Sequence, residues 1–274
     1  MGSLFLSQQQ YIKALDTFSR GGYWEDAAYI AEHIMKIDEH QNYIDQTWPG
    51  NTPEDSTIQM SIDTRLRFLL ARRLARLDRW QDARKYYPVK WQNRMDVYVQ
   101  AIQDGNNQKF LKSKRADALW KAAVIARYEG MELMGTELEP DWFLYDGNEF
   151  RRTFMQDIRE GKISDTIAPS STDEIQRTQQ IILPDKRFHY RYIATEHAWQ
   201  AAELMPDNSD QTARVLCIAG SWIKLKDPMA ADKFYKALVI RNRKTKLGQE
   251  ADELRWFPKI EIDGAALLQE VNSQ

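Results

Sequence analysis

Apolar positions recur at helical spacing over most of this chain, and the pattern breaks at glycine and proline. From Tyr11 to Ile37 one face carries Tyr11, Leu15 and Phe18, and a second carries Ala27, Ile30, Ala31 and Ile34, the spacing of two amphipathic helices. Gly21 and Gly22 lie between them. Glycine reaches the left-handed conformation that ends a helix at least cost, so the pattern predicts a helix, a tight turn and a second helix. The arrangement returns 56 residues on, where Leu66, Leu70 and Leu74 form a stripe and Trp80, Gln81, Asp82, Ala83 stand as Trp24, Glu25, Asp26, Ala27 did. An aromatic closes the turn, acidic residues suit the positive end of the helix dipole, and a small residue admits a neighbouring helix. Pro88 is expected to stop this helix after Tyr86 and Tyr87.

A third unit runs from about Phe188 to Pro206, with Ala194, Ala198 and Ala201 at helical spacing, and a fourth from Thr212 through Arg241. In the fourth, Asp227 and Pro228 make an N-cap and first-turn pair ahead of Ala230, Phe234 and Ala237. Between the second and third units, Arg94 to Ile102 and Ala116 to Leu133 read as helices, the latter through Leu119, Ala122, Ala123 and Ala126. Few stretches alternate as a strand would. The expectation is an all-α fold of helical hairpins, in which no pair buries its own apolar faces and stacking builds the core.

Tyr11, Leu15, Phe18, Gly22, Ala27 and Ala31 in the first unit, Ala194, Ala198, Ala201 and Pro206 in the third, and Ala230, Phe234 and Ala237 in the fourth resemble the tetratricopeptide repeat and its Sel1-like relatives. The likeness covers about half the chain, and the units are not tandem at a fixed period; Arg67 and Ser221 depart from the pattern. The string from Gly130 to Gly147 is also similar to a segment of bacterial repeat proteins, and implies no chemistry. The resemblance implies an αα-hairpin superhelix with a groove for a peptide or protein. It divides the chain into helical hairpins over 1–134, an irregular insertion over 135–187 and further hairpins over 188–274.

Within the insertion Gly135, Pro140, Gly147, Gly161, Pro169 and Pro184 interrupt any period. Short helices are expected over Phe150 to Glu160 and after Ser171, whose spacing to Glu174 is that of a capping box. Its first part mixes acids and aromatics: Glu137, Glu139, Asp141, Trp142, Phe143, Tyr145, Asp146 and Phe150. Aromatics give large contact area at low rotamer entropy, so an exposed cluster would anchor a partner. The alternative is that Trp142 and Phe143 fold back and seal a gap between hairpins.

Composition narrows the function. Apolar residues make up 43%, enough for a core, and 38 Lys plus Arg stand against 40 Asp plus Glu, so nothing draws the chain globally to nucleic acid. No segment approaches the ~20 apolar residues needed to span a bilayer. Leu4, Phe5 and Leu6 before polar Ser7 to Gln10 are too few for a secretory signal. Met1-Gly2-Ser3 resembles an expression-vector start, which leaves the compartment, cytoplasmic or periplasmic, open.

Candidate chemistry is sparse. His33 and His40 are seven apart, about 10 Å by rise on one continuous helix, and His189 and His197 are eight apart; neither pair has metal-binding spacing. Cys217 falls in the apolar run Val215 to Ala219 and reads as a small buried hydrophobe. Arg65, Arg67, Arg72, Arg73 and Arg76, and again Arg241, Arg243, Lys244 and Lys246, read as solvated faces of amphipathic helices, the alternative being that they pair with an acidic partner or an anionic lipid surface. These signals imply no cofactor and no metal. The reading is a non-enzymatic interaction module that holds a protein or peptide through Tyr11, Phe18, Arg67 and Trp222 on the inner faces and Trp142, Phe143 and Tyr145 in the insertion. The alternatives are an accessory subunit whose apolar ends are covered by a larger assembly or a second copy, and an enzyme using Glu137, Glu139 and Asp141.

Overall fold

Apolar residues at helical spacing, with glycine and proline between the stretches, leave the backbone to satisfy its own hydrogen bonds locally. In the computed structural model, which describes residues 1–48, 60–148 and 181–273, every regular element among those residues is helical and none is a strand. The helices expected over 150–160 and after Ser171 lie outside the described residues. The chain divides into two compact units, Met1–Gln92 with Met134–Arg187, and Asn93–Leu133 with Phe188–Gln274.

The first unit opens with α1 (Gly2–Ser7) and α2 (Tyr11–Arg20). Gly22 takes φ 78° and the Tyr23 N–H donates to the Phe18 carbonyl at 2.9 Å. The expected glycine turn is therefore present, and it delivers the chain into α3 (Trp24–Tyr29). A π-turn over Ile30–Ile34 follows, and the backbone extends at Met35 and Lys36 before α4 (Ile37–Thr47). His33 and His40 thus stand on separate elements rather than along one helix.

Next come α5 (Ile62–Ala75) and α6 (Trp80–Arg84). Every residue from Leu66 to Ala75 is buried, the condition of a core helix packed on all sides. The expectation of a solvated basic face on this helix is overturned: Arg67, Arg72 and Arg73 are at most 6% exposed. The reason is that most of these arginines reach carbonyls left unpaired where neighbouring segments end. Arg67 donates to the Trp48 and Lys85 carbonyls at 3.2 and 3.0 Å, Arg73 to those of Ala31 and Met35, and Arg76 to those of Met134 and Gly135. Pro88 also departs from expectation. Helix α6 already ends at Arg84, and the Pro88 carbonyl instead accepts from the Trp91 and Gln92 N–H groups at the start of α7 (Val89–Asn106).

The second unit contains most of α7, then α8 (Lys112–Met134), α9 (His189–Leu204), α10 (Asp210–Ile223), α11 (Pro228–Arg241), α12 (Lys246–Leu254) and α13 (Gly264–Asn272). Helices adjacent in sequence from α9 to α12 pack on one another in turn. Ala194, Ala198 and Ala201 are fully buried, as is Phe234, so the small residues mark the close approaches. Asp227 caps α11 by accepting from the Ala230 N–H at 2.9 Å, with Pro228 in the first turn as the sequence predicts. Arg241 repeats the carbonyl-capping device, donating to Ala202 and Met205 at 2.9 Å each, while Arg243, Lys244 and Lys246 are exposed. No helix of the described residues is long and apolar enough to cross a membrane.

Candidate functional site: an aromatic strap fastened to an arginine helix

The first described part of the insertion, residues 135–148, is a strap closed by its own hydrogen bonds rather than an open loop. Asp141 accepts from the Thr136 N–H at 3.0 Å and the Thr136 hydroxyl accepts from the Asp141 N–H at 2.8 Å. The Trp142 N–H reaches the Leu138 carbonyl at 2.8 Å and the Phe143 N–H the Thr136 carbonyl at 3.0 Å. A short 3-10 turn over Phe143–Tyr145 follows, flanked by Trp142 at φ 60° and Asp146 at φ 52°. A left-handed conformation is unfavourable for a side chain as bulky as tryptophan and persists only where the surroundings impose it.

Two carboxylates tie the strap down. Glu137 is 4% exposed; it pairs with Arg72 of α5 through one oxygen and accepts from the Trp24 indole N–H at 2.7 Å through the other. Glu32, fully buried in the π-turn, pairs with Arg76 at 2.6 Å and accepts from the strap N–H groups of Glu137 and Leu138 at 2.8 and 3.1 Å. Burial alone would raise the Glu32 carboxyl, but the Arg76 guanidinium and then further neighbours, including the Leu138 N–H, bring it below the usual glutamate value. Phe143 packs edge-on to Phe68, and the Arg72 guanidinium lies 3.9 Å from the Phe143 ring centroid. Chemically the cluster is a fastening, because both oxygens of Glu137 and both of Glu32 are taken by fixed donors.

Of the residues named from sequence, four are partly exposed in the first unit: Phe18, Trp142, Phe143 and Tyr145. The Trp142 and Tyr145 rings lie 6.2 Å apart and tilted, whereas Phe143 turns inward to Phe68. Tyr11 and Arg67 are buried, and Arg67 also lies over the Tyr86 ring. Trp222 belongs to the second unit, buried and stacked on Trp120 at 5.6 Å with Tyr128 edge-on. Of the residues that hold the strap, Trp24 is marked in the sequence only as an aromatic that closes a turn, Arg72 and Arg76 only as part of the arginine-rich helix that periodicity assigns to solvent, and Glu32 not at all. Glu139 is exposed, while Glu137 and Asp141 are spent on the strap.

His33, His40, His197 and Cys217 are built into the packing. His40 is fully buried with Nδ1 3.3 Å from Arg73 Nη1, and burial followed by the Arg73 charge holds it well below the usual histidine value. His33 stacks on Tyr29, and His197 lies 3.1 Å from the Tyr98 hydroxyl; burial lowers both. Cys217 is buried and its thiol is pushed up to about 11 by that burial, which leaves it protonated and unreactive at neutral pH. Among the described residues no group of three or more His, Cys, Asp or Glu could hold a metal ion. No family model matches the chain, and no curated protein or solved structure matches it.

Proposed function

We propose that this chain is a non-enzymatic interaction module of the tetratricopeptide-like helical-hairpin class, which holds a protein or peptide partner through the aromatic tip of its strap. The observation that carries the reading is the Trp142–Tyr145 pair: two partly exposed aromatics, side by side at 6.2 Å, on a backbone forced left-handed at Trp142. Strain of this kind is retained where it positions a side chain for use. Anchors already fixed before a partner arrives lose little entropy on binding, which suits aromatic hot spots. The buried ion pairs of Glu137 and Glu32 supply that rigidity. The sequential packing of α9 to α12 supports the repeat-like assignment.

The test replaces the anchors and spares the fastening. Trp142→Ala with Tyr145→Ala should leave the helical circular dichroism and melting transition intact while abolishing capture of a specific partner from lysate of the source cells. A captured set identical for wild type and variant would refute the reading. A second reading, an accessory subunit of a larger assembly or a homo-oligomer, draws on Leu225 in the turn after α10 and Met229 in the first turn of α11, which are 90% and 85% exposed. Mass that rises with concentration in light scattering would favour it.

A further inference from the structure

The second unit holds a cluster of cations that the strap does not involve. Arg127 lies on α8 and Arg191 in the first turn of α9; both are partly buried, and the Nε of each is buried without a hydrogen-bond partner. Among the described residues no carboxylate pairs with either guanidinium. On the same two helices, Glu129 of α8 is engaged by Arg94 and Glu196 of α9 by Lys233. Helix α8 meets the start of α9 closely, because a Cβ added at Gly130, one turn after Arg127, would lie 2.6 Å from the side chain of Tyr190, the neighbour of Arg191; there the two like charges oppose each other, and burial followed by the Arg191 charge lowers the Arg127 pKa.

Aromatic rings gather the charges. The Arg191 guanidinium lies 4.2 Å from the Phe188 ring centroid and the Lys226 ammonium 4.1 Å from the same centroid. Those two cations can be no farther apart than the two distances laid end to end. Arg127 lies over the Tyr128 ring at 5.1 Å. Phe188 itself takes φ 56°, an unfavourable conformation for so bulky a residue. Arg191 also sits at the positive end of the α9 dipole, with no acidic residue in that first turn. Unpaired guanidiniums, mutual repulsion and a cation at the wrong helix end each weaken the fold, and one added anion would relieve all three.

We propose that Arg127 and Arg191, with Lys226 beside them, bind a phosphate-bearing anion. Two guanidinium forks and an ammonium match the charge and the several oxygens of a phosphate group better than a single carboxylate. The phosphate could come free in solution or on a lipid headgroup, and two arms separate these sources. In the first, the full chain is titrated with inorganic pyrophosphate by calorimetry at fixed ionic strength. In the second, it is sedimented with phosphatidylcholine vesicles carrying phosphatidic acid. Saturable binding in either arm is expected to weaken about tenfold or more in Arg127→Met and in Arg191→Met, the loss of one charge-assisted hydrogen bond. Lys114→Met, at an exposed lysine of the same helix α8, should bind as wild type does. Circular dichroism checks each fold, and Arg127→Gln and Arg191→Gln take over if a methionine variant does not fold. Saturation in neither arm, or binding that survives both replacements, would overturn the assignment.

Discussion

Removing the Glu137 carboxylate is the sharpest test of how the strap is held. The pair with Arg72 is almost wholly out of water, the two side chains being 5% and 1% exposed. Glu137→Ala would strand Arg72 between the Phe68 and Phe143 rings, at 4.7 and 3.9 Å, with its Nη1 already lacking a partner. It would also leave the Trp24 indole N–H without its acceptor. Breaking a buried pair from one side costs about 3–5 kcal/mol, and that is the loss expected. Glu137→Gln keeps an acceptor for Trp24 but removes the charge, and should cost about 1.5–3 kcal/mol. Arg72→Met combined with Glu137→Leu should recover most of the loss, because both buried charges leave together and only the indole is stranded, at about 1–3 kcal/mol. Urea unfolding followed by far-ultraviolet circular dichroism, with the single variants Arg72→Met and Glu137→Leu added, closes the double-mutant cycle, and amide exchange at Glu137, Leu138 and Leu144 reports the strap directly. A Glu137→Ala cost below about 1 kcal/mol, the range of an exposed pair, would show that water reaches the cluster and would refute the fastening.

Acid should loosen the first unit. His40 is held well below the usual histidine value and Glu32 below the usual glutamate value, so the unfolded chain binds the extra protons. The stability they contribute is fully present above about pH 6.5 and is lost as the pH falls, first through the histidine and then through the carboxylate. His33 acts in the same direction in the first unit, and His197 does so in the second; urea midpoints from pH 8 to 5 should fall for wild type and fall less for His40→Gln, and parallel curves would exclude the burial of His40 beside Arg73 as a cause. At Gly248, an added Cβ would lie 1.9 Å from the Asn242 carbonyl oxygen, and backbone cannot step aside as a side-chain tip can. Gly248→Ala should therefore cost about 1–3 kcal/mol, read as a lower melting temperature, and an unshifted melt would contradict the packing of α12.

The sequence foresaw what depends on near neighbours along the chain. The Gly21–Gly22 turn, the Asp227–Pro228 start of α11, the buried alanines of α9 and the buried Cys217 all follow from backbone preference and side-chain size within one or two helical turns. Where it misjudged, local evidence pointed the wrong way. Pro88 reads as a stop, yet α6 had already ended and the residue opens α7. The run from Arg65 to Arg76 reads as a wet face, because desolvating a guanidinium is costly unless partners await it.

Those partners are distant in sequence. Glu137 lies 65 residues from Arg72, and the N–H groups that Glu32 receives lie 105 and 106 residues away. The sequence alone determined an all-helical chain broken at particular turns, since helix and turn propensities act over a few residues. Only the tertiary structure decided that α5 would be a core helix and that Trp142 and Tyr145 would stand fixed side by side. Pairing a buried charge requires bringing together groups that no local pattern relates.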